Sequence, residues 1–231
     1  MKILTMAAAV TLLTAAPVLA QGKHASLNDA DGYVTGLAGF AMSTGNTTGD
    51  VRIEGGVRIA PHVKLFGDIG HFGNLEGDLQ PTLDAATSSL AANQGIAVLG
   101  DGKLPASYFT GGVRVDVPTS TRLTPYLLGS VGVAHLTPSA QFTFSSGTLP
   151  DGTTPDVGTD VTSELTQSGI YTAPPASSAF MFTLGGGMQI PVTRHWAGDV
   201  GYRYSRIAAD DSLSASALNI NGMTFGFGYR F

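Results

Sequence analysis

Arg52, Glu54 and Arg58 are separated by even numbers of residues, and so are Lys64 from Asp68, Arg114 from Asp116 and Asp199 from Arg203. Side chains an even number apart on an extended strand share a face. Each set therefore projects to one side with both signs in reach, as an ion-pair network requires. With Arg230, these residues form a candidate interior charge network. Other chemistry has weaker support. The chain contains no Cys, which removes thiolate ligands, Cys nucleophiles and disulfides. No H-E-x-x-H, G-x-S-x-G or P-loop pattern occurs. The histidines His24, His62, His71, His135 and His195 are scattered. His71 and His135 fall near one end of candidate strands, and Ser139 follows His135 closely. A serine nucleophile needs a base in hydrogen-bond reach and an orienting acid, so both read as interfacial histidines. Asp151, Asp156 and Asp160 match no calcium loop and read as solvated loop acids. The expectation is no catalytic residue, no metal and no cofactor.

The residues between the ions are apolar. Val51, Ile53, Val57 and Ile59 oppose the first ionic set, Phe109, Val113, Val115 and Val117 oppose Arg114 and Asp116, and Val200, Tyr202 and Tyr204 oppose Asp199 and Arg203. Phe180, Phe182, Leu184, Met188 and Ile190 likewise oppose Thr183 and Gln189. Strict alternation predicts strands over residues 33–42, 51–59, 63–72, 109–117, 123–136, 180–190, 196–207 and 220–231. The facing of 123–136, which carries no charge, stays open. Charged residues are 13 % of the chain, about half the roughly 25 % of a soluble domain, yet no run of about 18 apolar residues follows the N-terminus. Low charge without such a run fits strands that show lipid at every second residue. A charge facing lipid at mid-wall costs about 2–4 kcal/mol, so the ionic faces are expected to point inward. Arg206 breaks this parity at the end of its strand, where it can reach headgroups. A net charge of −5 argues against nucleic acid, which needs a basic face.

Turns at Ala60-Pro61-His62, 118–122 and 191–195 are short, whereas 73–107 and 137–178 are long. Short periplasmic turns and long extracellular loops are the rule for transmembrane barrels. The fold expected is all-β, an antiparallel up-and-down transmembrane β-barrel of about eight strands spanning 32–231. The first long loop carries a candidate helix at 81–93, with Leu79, Leu83, Ala86 and Leu90 at helical spacing, read as a packed ornament of the loop. The second, rich in Thr, Ser, Gly and Pro, reads as a candidate mobile segment. Residues 1–20 read as a cleaved signal peptide, with Lys2, an apolar stretch and Val18-Leu19-Ala20 before the cut. A periplasmic leader follows at 21–31.

At the C-terminus Met223, Phe225, Phe227, Tyr229 and Phe231 alternate with Thr224, Gly226, Gly228 and Arg230. This tail resembles the assembly signal of bacterial outer-membrane proteins, which implies that Phe225, Phe227, Tyr229 and Phe231 are read by the barrel-insertion machinery. With Leu123-Thr124-Pro125-Tyr126 and Tyr202-Arg203-Tyr204-Ser205, the chain resembles the eight-stranded barrels of the opacity-protein and OmpA-like families. The resemblance implies an outer-membrane location and contact with membrane lipids and lipopolysaccharide. It lacks the peptidoglycan-binding domain that follows OmpA-type barrels, so a cell-wall tether is not expected. The role expected is structural or surface interaction by a monomeric barrel. A narrow solute channel is the alternative, and a lipid-modifying enzyme, loosely similar to outer-membrane deacylases and phospholipases, ranks behind it.

Overall fold

The computed structural model describes residues 31–43, 46–75, 79–172, 174–208 and 217–231. The expected signal peptide and the leader up to residue 30 lie outside the described residues. The elements run β1 (Gly32–Ser43), β2 (Asn46–Ala60), β3 (Val63–Phe72), α1 (Leu79–Gln94), β4 (Ala97–Lys103), β5 (Ala106–Asp116), β6 (Thr124–Leu136), β7 (Ser139–Ser146), α2 (Thr162–Gln167), β8 (Ser177–Pro191), β9 (Trp196–Ile207) and β10 (Leu218–Arg230). Eight of the strands, β1, β2, β3, β5, β6, β8, β9 and β10, close into a barrel in which each pairs antiparallel with its neighbour in the chain and β10 returns to β1. No helix among the described residues is long and apolar enough to cross a membrane.

Closure requires the strands to tilt. A row of paired residues that leaves β1 at Gly32 passes through Val57, Leu65, Val113, Gly129, Leu184, Tyr204 and Asn221 and returns to β1 at Met42, a stagger of ten residues. At the turn end, β2 and β3 join through Pro61 and His62. His62 adopts φ 64°, a left-handed conformation rare outside glycine, and its carbonyl accepts the Asp116 amide at 2.8 Å.

The outward faces are apolar. Val51, Ile53, Leu65, Ile69, Phe109, Leu127, Val131, Leu184, Phe225 and Phe227 are all exposed. Between them runs a girdle of outward glycines, Gly36, Gly55, Gly67, Gly111, Gly129 and Gly186. Gly55, Gly67 and Gly111 share one row. Gly36 lies one outward position above that row, and Gly129 and then Gly186 step below it. Because the rows climb in this direction, the steps cancel the climb, and the glycines encircle six strands at nearly one height near the middle of the wall.

The open facing of β6 is resolved. Tyr126, Leu128, Ser130, Ala134 and Leu136 point inward, while Leu127, Val131 and Val133 face out. Both faces are largely apolar because this strand also lines an apolar layer of the lumen. The helix in the first long loop begins two residues earlier than its spacing suggested, and it buries Leu79, Leu83 and Leu90. The second long loop has secondary structure of its own. It carries β7 and α2, and β7 pairs with β4 of the first loop in a separate two-stranded sheet.

Candidate functional site

Inside the wall the lumen is filled in layers. At the loop end, Ala41, Phe72, Leu75, Leu104, Ala106, Tyr108, Ala134, Leu136, Ala179, Met181, Ile207, Leu218 and Ile220 form a continuous buried apolar cluster. Below it lie the ions. Arg52, Lys64, Arg114, Arg203 and Arg230 are buried together with Asp50, Glu54, Asp68, Asp116 and Asp199. Among the described residues five cations stand with five anions, so the formal charges buried in the lumen balance.

The pairing is dense. Arg203 spans Glu54 and Asp68, the latter at 3.0 Å. Arg52 pairs with Asp50 and approaches Asp68 at 3.8 Å. Asp116 accepts Arg114 at 2.9 Å and Lys64 at 2.7 Å. Arg114 also reaches Glu54 at 3.8 Å and Asp199 at 3.9 Å. Tyrosine hydroxyls complete the shell: Tyr33 donates to Glu54 at 2.6 Å and Tyr126 to Asp199 at 2.7 Å. The Arg114 guanidinium lies 3.7 Å from the centre of the Tyr126 ring, a cation–π contact that desolvation strengthens. Buried charges cost several kcal/mol each unless paired and hydrogen-bonded, and each of the three central arginines has ionic partners, although Arg52 Nε, Arg114 Nη2 and Arg203 Nε have no hydrogen-bond partner among the described residues.

Nine of the ten ionic residues singled out in the sequence are buried in the lumen, and eight of them are linked by the ion pairs above, while Arg230 donates to the Thr193 carbonyl at 3.4 Å at the turn end. Arg58 is not among them. It sits half-exposed at the turn end of the barrel and pairs with Asp31 of the leader. Asp50 joins instead. It shares the parity of Arg52 and Glu54, but Thr47, Thr48 and Gly49 before it resemble turn chemistry, which hid the true start of β2. The interior tyrosines Tyr33, Tyr108 and Tyr126 were also missed. Tyr108 lies an even number of residues from Arg114 and Asp116 of its own strand, a signal that could have found it, whereas β1 and β6 carry no ion that could mark Tyr33 and Tyr126.

The tail residues Phe225, Phe227, Tyr229 and Phe231 face outward, opposite buried Thr224 and Arg230. Trp196 stacks on Phe227 at 5.1 Å and meets Tyr229 edge-on at 5.2 Å, forming an aromatic patch toward the turn end.

Over the loop end stands a cap with its own core: Leu79, Leu83, Leu90, Ile96, Val98, Phe142, Phe144, Leu149, Val161 and Leu165. Gly102 of β4 leaves room for Leu79 and Leu83, since a Cβ there would lie 2.8 Å from the Leu83 side chain. Both edges of the β4–β7 sheet are occupied. Along β7, Phe142 and Phe144 bond to residues 158–162. Along β4, the Gln80 side chain donates to the Gly100 carbonyl at 2.9 Å and accepts the Gly102 amide at 3.1 Å. Asp151 and Asp160 serve local turns, each accepting both the amide and the hydroxyl of the threonine two residues on. These bonds, the hydroxyl foremost, hold both carboxyls below the ordinary Asp range. Among the described residues no group of three or more His, Asp or Glu could hold a metal. His135 bonds to Ser178 at 3.0 Å rather than to Ser139.

A closed eight-stranded wall with apolar residues outside and paired ions within is the arrangement of an outer-membrane barrel, and residues 6–231 match the family described as outer membrane protein beta-barrel domain. The chain belongs to that family. Its location is accordingly the outer membrane. The outer-membrane barrel is similar in fold to the Neisserial surface protein A, at 16 % identity and TM-score 0.51, with 90 % of this chain and 100 % of that chain covered. It is similar to a major outer membrane protein of Thermus thermophilus at 12 % identity and TM-score 0.50, covering 87 % and 99 %. The attachment invasion locus protein of Yersinia pestis aligns at 16 % identity and TM-score 0.44, covering 87 % and 97 %. No curated protein matches the sequence.

Proposed function

We propose that this outer-membrane barrel is a sealed anchor whose extracellular cap works by surface contact, and that it neither passes solutes nor catalyses a reaction. One observation carries the reading: a buried apolar cluster lies across the lumen above a network of five cations and five anions buried among the described residues. An eight-stranded barrel is just wide enough for side chains to fill it, and here they do so in two chemically distinct layers. An ion entering from outside would first cross the apolar layer and then displace paired charges. The cap, by contrast, is built, packed and held above the membrane, where envelope components and other surfaces are met. Outer-membrane lipids and lipopolysaccharide are its proposed surroundings, a single copy its proposed state, and the aromatic tail its proposed handle for the insertion machinery.

Planar-bilayer recording of the purified chain tests the seal. Rare and tiny openings at most are expected, and steady conductance would overturn it. For the tail, deletion of Phe231 should impair insertion in cells more than refolding in detergent. Equal insertion in cells would remove the assembly role.

A further inference from the structure

Where β3, β5, β6 and β8 leave the apolar wall, four polar side chains stand in one register row on its outer face. His71 pairs with Ser107, Ser107 with His135 and His135 with Ser178. Each comes one outward position beyond an exposed apolar residue: Ile69, Phe109, Val133 and Phe180. The rings are held, with His71 Nδ1 at 3.1 Å from Ser107 Oγ and His135 Nδ1 at 3.0 Å from Ser178 Oγ. Neither the lumen nor the cap uses them.

Their height follows from the glycine girdle. His71 and Ser107 lie four residues above Gly67 and Gly111, and His135 lies six above Gly129. With a strand rise of about 3.3 Å and a tilt of about 40°, that is roughly 10 Å and 15 Å above mid-wall, against a half-thickness of about 12 Å for the apolar band. The row thus straddles the boundary between acyl chains and headgroups in the outer leaflet. A polar group facing hydrocarbon costs free energy unless it is hydrogen-bonded. When the serine hydroxyl donates to Nδ1, the ring proton sits on Nε2, and two N–H donors are presented to whatever occupies that boundary. The acceptor-rich group found there is phosphate.

Resting on the outer-membrane location but independent of the lumen seal, we propose that His71, Ser107, His135 and Ser178 form a docking strip for the phosphate groups of outer-leaflet lipid. The two rings stand two strands apart, about 10 Å, so the Nε2–H group of each donates to a phosphate of its own, and the serines fix the rings. Neither imidazole makes an ion pair with a carboxylate among the described residues, which leaves both rings free for an anion and gives neither the orienting acid that ester hydrolysis would need.

The test uses the full chain refolded in nanodiscs containing equal amounts of lipid A with and without its phosphates, with the retained lipid read by native mass spectrometry. The phosphorylated form should be enriched by about tenfold, the equivalent of one charge-assisted hydrogen bond. The double variant His71→Leu/His135→Leu, which keeps an apolar-tolerant wall, should lose that enrichment with an unchanged heat-modifiable band. His71→Arg/His135→Arg should keep or raise it. Equal retention of both lipids by the native chain, or undiminished enrichment in the leucine variant, would overturn the proposal. Competition by millimolar inorganic phosphate would overturn the lipid source and assign the strip to soluble phosphate. Conductance of the same variants reports on the seal separately.

Discussion

The barrel and its cap are two cores of opposite chemistry made by one chain. The barrel buries ten ions and exposes Ile53, Phe109, Leu184 and Phe227, whereas the cap buries Leu83, Phe142 and Leu165 and exposes Asp84, Asp151 and Glu164. What differs is the solvent. Against lipid, an apolar exterior costs nothing and the polar groups must find one another inside. Against water, the hydrophobic effect draws the apolar side chains together. Alternation with period two therefore reports which faces differ, and the solvent decides which of them turns inward.

The sharpest way to break this comparison is to remove one charge from the lumen. Arg203→Met leaves Glu54 and Asp68 without their shared cation and should destabilise the barrel by about 3–5 kcal/mol. Urea unfolding and the heat-modifiable band would register it, while proteolysis of the cap should be unchanged. Leu83→Ala is the converse, about 2–5 kcal/mol for a buried leucine. It should expose the cap to protease and leave the barrel band intact. If either variant affected both regions alike, the two cores would be one cooperative unit.

Phe227→Lys probes the lipid side, where an ion at mid-wall should cost about 2–4 kcal/mol, falling to about 0–1 near the interface. Refolding yield in thin and thick bilayers would measure it. The smallest effect is a pH dependence in the cap. The Asp160 carboxyl is held down by the Thr162 hydroxyl and amide. A depressed folded value contributes stability above the unfolded value, about 3.9, and that contribution is lost as pH falls through the folded value. Cleavage near residues 158–168 should accordingly rise as pH falls below about 4.

The barrel was legible because each of its strands repeats one local rule, and the ionic faces made that rule visible in β2, β3, β5 and β9. β6 was not legible in the same way, since Leu128 and Leu136 face the lumen while Leu127 and Val131 face lipid, and local pattern cannot tell these apart. The cap was harder still. Phe142 and Phe144 alternate as a strand should, but their partners Gly100 and Val98 lie some forty residues earlier, and only the barrel brings them together. Arg58 was misassigned because parity gives the face and not the depth, and its depth is set by the end of the barrel.

The Gln80 amide has a consequence on a crowded cell surface. A short two-stranded sheet held above a membrane is an invitation to its neighbours, because copies confined to a plane collide with their edges already aligned and a free strand edge recruits another strand. On β4 the donor and acceptor that such a neighbour would seek are occupied by a side chain that imitates a strand's own backbone, and on β7 they are occupied by residues 158–162. Dense populations of this protein can therefore remain a two-dimensional fluid of separate molecules and need not knit into ribbons.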